Sequence, residues 1–326
     1  MNRKRLVVPF LVAILAAGAV PPTAAQDYPT RSVTIVVPFT PAGGTDILAR
    51  LFGQRLEQRL GKPFVIENRP GAGMQIGTTA VAKSAPDGYT LLVAPSSAMA
   101  VNITLYKKLP YDPAKDLAPI ALLAHTPFVL VVNPSLPVHS VNDLVKLAKG
   151  KPGELGFGSG GVGASHHLFG EMLKTMAGIQ MTHVPYKGSV PALNDVVAGH
   201  IPLMFSDLPP ALPLIHAGKV RALGVTTAER LTAAPDIPPI ADAIPGFDTA
   251  AWQMMSTRAG TPAPIVERLN AEMKAILAGA DIKKQLLDMG LVPAVAATPA
   301  ELQRFLESEI VRWGKIVHQA GIAGIE

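Results

Sequence analysis

The sequence predicts an α/β protein built from two doubly wound lobes. Short runs of β-branched and apolar residues alternate along the chain with amphipathic helical patterns, which is typical of a mostly parallel sheet with helices on both faces. This alternation begins a second time near the middle of the chain. About 300 residues also exceed the size at which one hydrophobic core usually keeps growing. We therefore expect two lobes rather than one large domain.

The first residues of the chain have the features of an export signal. Basic residues at positions 3–5 precede an apolar run at 6–20, and the small residues Thr23-Ala24-Ala25 suit a signal peptidase. The apolar run is shorter than the roughly 20 residues that cross a bilayer as a helix. We predict a signal peptide at residues 1–25 and a soluble, periplasmic mature protein that begins near Gln26.

The composition excludes several classes of chemistry and partner. The chain of 326 residues contains no cysteine, so disulfide bonds and thiolate catalysis are excluded. It has 29 Lys and Arg against 24 Asp and Glu, and three of the basic residues lie in the predicted signal peptide, which leaves 26. The mature protein is nearly neutral, and neither nucleic acid nor an anionic membrane surface is implied as a partner.

The first series of elements predicts a βαβαβ unit. Apolar residues recur at helical spacing in its first helix, which ends at Gly61. The elements are, in order, strand 32–39, helix 45–61, strand 63–68, a glycine-rich segment 69–85, and a turn with a strand at 87–97.

The second series predicts another α/β lobe, followed by a helical C-terminal part. The second series consists of strand 127–134, helix 140–150, strand 155–159, helix 164–178, strand 181–187 and the segments 189–200, 201–207, 208–219 and 220–226. Two long amphipathic patterns follow at 263–279 and 299–321, with almost no strand between them. Such helices need an apolar surface to cover, and the first lobe is a candidate.

The segment Gly158-Ser159-Gly160-Gly161-Val162-Gly163 fits the pattern G-x-G-x-x-G of dinucleotide-binding loops. It follows a strand and precedes a helix, as that motif requires. The motif also needs an acidic residue about 20 positions further on, at the end of the next strand. That strand supplies His183 and Lys187 instead. We predict that no dinucleotide cofactor binds here.

Hydrolytic and metal chemistry lack their motifs. A nucleophile elbow around Ser159 needs glycine where Phe157 stands. His166 and His167 are adjacent, so on a helix they point about 100° apart and do not chelate one ion. Packing or capping accounts for them, and we predict neither a metal nor any other cofactor.

Two glycine-rich turns remain, and each presents backbone N–H groups at the positive end of a helix. One is at 156–167, and the other is at 38–50, where Gly43 and Gly44 allow close approach of a ligand and Thr45 is placed to cap the helix. Such ends bind carboxylates, and turns from two lobes are expected to face each other across a cleft. The alternative is structural, because strand-to-helix turns use Gly, Ser and Thr for capping alone.

The same alternative applies to the other polar candidates. Asp46 suits the first turn of a helix whether or not it touches a ligand. Tyr186 and Lys187 end a strand, where they either contribute to the cleft or remain on the surface. Ser96, Ser97 and Asp207 follow strands, at the sheet edge where open α/β proteins bind ligands.

At this point the sequence resembles a known family, the substrate-binding proteins of tripartite tricarboxylate transporters, or Bug-type solute receptors. The resemblance covers nearly the whole mature chain. It rests on "YPTRSVTIVVPFTPAGGTDILARL", "VIENRPGAG", "APDGYTLL", "LYKKLPYDPAKDLAPI", "VNPSLPV", "HVPYKG", "RALGVTTAERLTAAPDIPPIAD", "AGTPAPIVERLNAE" and "EIVRWGKIV".

The resemblance implies a type II periplasmic-binding-protein fold, in which two lobes joined by two crossing segments close on a carboxylated small molecule. The implied first lobe is 26–126 with 223–326, the second is 127–222, and the hinges are near 124–127 and 222–226. The implied ligand contacts are Pro41, Ala42, Gly43, Gly44, Thr45, Asp46, Ser96 and Ser97 in the first lobe and Ser159, Gly160, Gly163, Ala164, Ser165, His166, Tyr186, Lys187, Gly188 and Asp207 in the second.

This chain departs from the family pattern at two positions. Ala42 stands where the family often has glycine, which changes the N–H groups that reach a ligand, and Ala85 replaces a serine remote from the cleft.

The function that we expect is that of a monomeric, non-enzymatic receptor, which delivers a small carboxylate to the integral membrane subunits of such a transporter. A ligand sensor for a signalling partner is one alternative. A periplasmic enzyme that acts on organic acids is the other, and the absence of a nucleophile, base and orienting group argues against it.

Overall fold

The computed structural model describes residues 28–325, so the predicted signal peptide and the predicted start at Gln26 lie outside the described residues. The strands are β1 (Val33–Val37), β2 (Phe64–Asn68), β3 (Thr90–Pro95), β4 (Leu117–Thr126), β5 (Phe128–Val132), β6 (Gly156–Ser159), β7 (Thr182–Pro185), β8 (Leu203–Asp207), β9 (Arg221–Val225), β10 (Ala251–Arg258) and β11 (Val292–Pro293).

The helices are α1 (Gly44–Leu60), α2 (Gln75–Ala82), α3 (Asn102–Leu105), α4 (Pro113–Asp116), α5 (Val141–Gly150), α6 (Ser165–Ala177), α7 (Ser189–Ala198), α8 (Leu208–His216), α9 (Ala263–Ala278), α10 (Ala280–Asp288) and α11 (Pro299–Gln319). Within residues 28–325, none of these helices has both the length and the apolar character that a membrane span requires.

The strands form two sheets, one for each lobe. The first sheet has six strands in the order β11-β4-β10-β3-β1-β2, and the second has five in the order β7-β6-β8-β5-β9. All five strands of the second sheet lie between β4 and β10 in the sequence, so the second lobe is an insertion in the first. The chain passes between the sheets twice, directly from β4 to β5 and again between β9 and β10.

Both sheets are mixed rather than purely parallel, because each contains strands that run against the others. β10 is antiparallel to β3 and β4, and β5 is antiparallel to β8 and β9, whereas β1, β2 and β3 are parallel. The crossings explain this. A strand that enters one lobe from the other runs away from the cleft, while its neighbours run towards the cleft.

The predicted elements are present, but the prediction lacks the strands β4, β10 and β11 and the helices α3, α4 and α10. Pro119 lies within β4, and the register between β4 and β10 shifts between Met255 and Ser256, where Ser256 pairs with the proline. The C-terminal helices α9 and α11 pack on β4, which confirms that they cover the first lobe.

A buried carboxylate fixes α11 to the first sheet. Trp252 in β10 and Trp313 in α11 both donate their indole N–H to Glu309 Oε2, over 2.6 and 2.9 Å. Both indoles are fully buried, and the Arg312 guanidinium approaches the same oxygen at 3.1 Å. The side of β10 that does not face Glu309 carries Gln253, which reaches the cleft.

Candidate functional site

The lobes meet along a cleft at the ends of β1, β3 and β8 and the beginnings of α1 and α6. Its inner part is a cavity of about 10 Å³, lined by Phe39, Gly44, Thr45, Pro95, Ser97, Phe128, Ser165, His166, Ser189, Asp207, Ala251 and Gln253. A larger outer cavity of about 350 Å³ shares Phe39 with it and is lined by Pro38, Gly71, Ala72, Gly73, Met74, Gln75, Tyr106, Gly160, Gly161, Val162, Pro185, Tyr186 and Lys187. Both lobes contribute to each cavity.

The structure divides the implied ligand contacts among three places. Those that line the inner cavity are Gly44, Thr45, Ser97, Ser165, His166 and Asp207. Those that line the outer cavity are Gly160, Tyr186 and Lys187. The others line neither cavity: Pro41, Ala42, Gly43, Asp46, Ser96, Ser159, Gly163, Ala164 and Gly188.

The first turn brings α1 against the second lobe. A Cβ at Gly44 would lie 3.0 Å from Asp207 Oδ1, and a Cβ at Gly43 would lie 3.1 Å from Ser189 Oγ. Glycine at both positions therefore permits a close approach between lobes. The helix begins at Gly44, with Gly43 as its N-cap and no capping side chain, so the predicted capping role of Thr45 is wrong.

Asp46 holds the first turn together from inside its own lobe. Its carboxylate accepts hydrogen bonds from Ala42 N–H, Arg50 Nε and Asn68 Nδ2, each over 2.9 Å. The hydrogen bond that Ala42 N–H donates to Asp46 helps to hold Ala42 in the left-handed region, at φ 64°. Burial raises the pKa of Asp46, but the hydrogen bonds and the Arg50 charge outweigh burial and lower the pKa below its ordinary value. In this structure Asp46 positions the turn.

An Asp46→Asn variant is expected to lose about 2 kcal/mol of stability at neutral pH, because its amide replaces charge-assisted bonds with weaker ones. Because the pKa of Asp46 is lowered in the folded protein, the ionised carboxylate stabilises the fold at pH values above the ordinary pKa of a carboxyl group. This stabilisation is lost as the pH falls through the pKa of the folded state. Urea unfolding from about pH 6 to about pH 3 should therefore show a shallower acid dependence in Asp46→Asn than in wild type. The exposed Asp236→Asn is the control. Equal slopes in the three proteins would contradict this role.

The second turn contacts the first lobe through its glycines. A Cβ at Gly160 would lie 2.9 Å from Phe39, and a Cβ at Gly163 would overlap Leu105. Gly163 also has φ 76°, which favours glycine. The turns therefore come together across the cleft, although Gly44 and Gly160 meet Asp207 and Phe39 rather than each other.

Ser159 is turned into its own lobe. Its hydroxyl lies 2.6 Å from His183 Nε2, and the His183 ring stacks on His167 at 3.7 Å. Burial, aided by nearby positive charge, lowers the pKa of His167 to about 3 and that of His183 to about 4, so both rings are neutral. Ser159 is completely buried and lines neither cavity, so this serine–histidine pair is part of the packing of the lobe.

His166 and Asp207 form the polar centre of the inner cavity. His166 Nε2 lies 3.2 Å from Asp207 Oδ2, and both residues are at most 5% exposed. His166 Nδ1 is buried without a hydrogen-bond partner, as is Gln253 Oε1 in β10 of the first sheet. Ser97 Oγ and Ser165 Oγ, one from each lobe, lie 3.1 Å apart.

The strand end at Tyr186 to Gly188 approaches the cleft with its backbone. The Tyr186 hydroxyl donates to Asp195 Oδ2 over 2.5 Å, and burial together with Asp195 raises its pKa to about 12. Lys187 is exposed. Gly188 packs against Thr40 of the first lobe so closely that a Cβ would overlap it.

Sequence reasoning missed the side chains that complete the inner cavity: Phe39, Phe128, Ser189 and Gln253. Phe39 lies within the first glycine-rich turn, two residues before the predicted contact Pro41, and Ser189 directly follows the predicted contact Gly188. The only feature of the sequence that could have pointed to Gln253 is that it is a polar residue among mostly apolar neighbours. Across residues 28–325, no three or more His, Asp and Glu side chains cluster in a way that could hold a metal ion.

Comparison with known proteins places this geometry in a family. BugT of Bordetella pertussis is 36% identical over 323 residues, which cover 98% of this chain and 99% of BugT. The structure of R. palustris Rpa4515 with adipate superimposes with a TM-score of 0.89 at 42% identity, covering 91% of this chain and all of that one. MatC of Rhodopseudomonas palustris with bound malate gives a TM-score of 0.84 at 34% identity, covering 89% of this chain and all of MatC.

The structure of the periplasmic binding protein BugD is also similar, with a TM-score of 0.87 at 32% identity over 91% of this chain and all of BugD. These neighbours confirm the predicted two-lobed periplasmic-binding-protein fold. The family model described as tripartite tricarboxylate transporter family receptor matches residues 48–322. The chain therefore belongs to the tripartite tricarboxylate transporter receptor family.

Proposed function

We propose that this protein is a periplasmic receptor that captures a small carboxylate between its lobes and delivers it to the membrane subunits of a tripartite tricarboxylate-type transporter. The observation that carries this proposal is the polar inner cavity, to which both lobes contribute a helix start. Gly44 and Thr45 begin α1, and Ser165 and His166 begin α6. Backbone N–H groups at helix starts favour a carboxylate. The bound adipate and malate of two related structures support the same ligand class.

Capture requires the lobes to move, and the crossing segments suggest where they bend. We place the hinge at 126–128 and 249–251, with the second lobe at 127–249. The sequence-based boundary between 222 and 223 falls inside β9, which belongs entirely to the second sheet. Thr226 joins the two segments, because it exchanges hydrogen bonds of 2.9 Å with Phe128 and accepts one of 2.9 Å from Thr249 N–H. Segments linked in this way bend together, so ligand binding shifts the balance from open to closed lobes.

A thermal-shift panel of organic acids tests the proposal. A ligand present at about 100 times its Kd stabilises the native state by about 2.7 kcal/mol, which corresponds to a rise in Tm of about 5 °C or more. We expect at least one acid of a panel that includes adipate, malate and aromatic acids to produce this rise. The matching diamide, which lacks the carboxylates, should not.

The same acid should be recovered chemically unchanged after long incubation with the protein, as judged by NMR. No shift with any acid would contradict the receptor function, and conversion of the acid would favour the enzyme alternative.

A further inference from the structure

The inner cavity already contains a buried negative charge at the place where a carboxylate is proposed to bind. Asp207 ends β8 and is 5% exposed. When His166 Nε2 carries a proton, its hydrogen bond of 3.2 Å to Asp207 Oδ2 stabilises the ionised carboxylate. A ligand carboxylate beside this group meets like charge in a site that excludes water. Binding therefore needs a cation that comes with the ligand or forms in the protein.

His166 is suited to supply that cation. Among the described residues that line the inner cavity, its side chain alone can become positively charged. Nε2 lies 3.2 Å from Asp207 Oδ2, and Nδ1 is buried without a partner. Phe39 and Phe128 flank the ring, with centroids at 6.3 and 5.0 Å. Imidazole donates from both nitrogens only when it is protonated, so a second acceptor at Nδ1 favours the charged form.

The other titratable groups near this ring are engaged elsewhere. His167, the next residue of α6, accepts from Gly163 N–H at Nδ1 over 3.2 Å and stacks on His183. Asp46 in the first turn of α1 is bonded to Arg50 and Asn68. Asp207 is thus the charged partner that the described structure places against His166, and Nδ1 is buried in the cavity wall without a hydrogen-bond partner.

We propose that His166 takes up a proton when a carboxylate binds and that its imidazolium bridges Asp207 and the ligand. Nε2–H donates to Asp207 and Nδ1–H donates to the ligand carboxylate. The proton comes from solvent, and no covalent bond to the ligand forms. This inference rests on the proposed function and adds a pH dependence to it, because a site made only of backbone N–H groups does not titrate between weakly acidic and weakly basic pH.

Calorimetric titration in buffers of different ionisation enthalpy measures the protons that accompany binding. The probe is the acid that binds most tightly in the panel of adipate, malate and aromatic acids, titrated at about pH 8, where imidazole is ordinarily neutral. We expect an uptake of up to about one proton per ligand and an affinity that falls by up to about tenfold per pH unit above that point. His166→Asn keeps a neutral donor close to Nδ1, so it should bind more weakly and without proton uptake.

A matched control lies on the surface of the same lobe. His200 Nδ1 is 3.2 Å from Asp195 Oδ1, but its side chain is 71% exposed. His200→Asn should leave affinity and proton uptake unchanged. Binding by wild type without proton uptake, or the same uptake in His166→Asn, would overturn this inference and leave the receptor function intact. A failure of every acid to bind would overturn both.

Discussion

A Gly44→Leu variant is expected to fold normally and to bind its acid about 100-fold more weakly than wild type. The new side chain would begin 3.0 Å from Asp207 Oδ1 and 3.2 Å from Asp207 Cγ, so it occupies space that the closed lobes share. Gly44 has ordinary helical geometry, and the Leu side chain points into the cleft once the lobes part, so the first lobe itself gains no strain. Overpacking at the contact costs about 1–3 kcal/mol and acts only on the closed state.

Calorimetry and solution scattering should both detect this effect. Saturating acid should reduce the radius of gyration of wild type, because closure accompanies binding, and should leave that of Gly44→Leu unchanged. Gly150→Leu is the matched control, since a Cβ there meets no atom within 4 Å at the end of α5. Wild-type affinity in Gly44→Leu would show that the ligand site lies away from this contact. An unchanged radius in wild type, despite binding, would show that the proposed hinge does not move.

A Glu309→Ala variant is expected to unfold about 10 °C below wild type. The indole N–H groups of Trp252 and Trp313 both lose their acceptor, and each buried donor left without a partner costs about 1–3 kcal/mol. Differential scanning calorimetry measures the loss. Glu309→Gln keeps one acceptor oxygen and should show a smaller effect.

Glu301→Ala on the same helix provides the comparison. Glu301 is exposed and completes the capping box with Thr298, so its loss should cost about 1 kcal/mol. If Glu309→Ala were no less stable than Glu301→Ala, the indoles would have found other acceptors. The carboxylate would then contribute little to the attachment of α11.

Local pattern was sufficient for the longer amphipathic helices, although it missed the short amphipathic helix α10. Helix α1 shows an apolar stripe and a glycine stop, and the structure ends it at Leu60 with Gly61 in the left-handed region. β10 lacked such a signal, because it is buried on both sides and yet carries Gln253, Ser256 and Thr257. A strand of this kind shows neither alternation nor a continuous apolar run, so periodicity does not detect it.

In the site, too, local features were predicted and contacts between distant residues were not. The glycine-rich turns were recognisable because the residues that form each of them are adjacent in the sequence. The pairing of His166 with Asp207 joins positions 41 residues apart, and that of Asp46 with Asn68 joins positions 22 apart. Sequence spacing does not reveal such contacts, because they depend on how the lobes and strands are arranged. Asp46 was therefore predicted as a possible ligand contact, whereas the structure uses it to hold a turn.

The position of β10 also determines the order in which the lobes can be completed. β3 and β4 are separated in the first sheet by β10, which the nascent chain supplies only after the whole second sheet. The inserted lobe is continuous in sequence and can complete its sheet first, since all its strands lie within one segment of the chain. The first lobe must close a loop from β4 to β10 before its central strand is in place, which carries a larger entropic cost. In the folded insertion, Thr226 brings the two ends of that loop together, so completion of the inserted lobe first is expected to lower the entropic cost of placing β10.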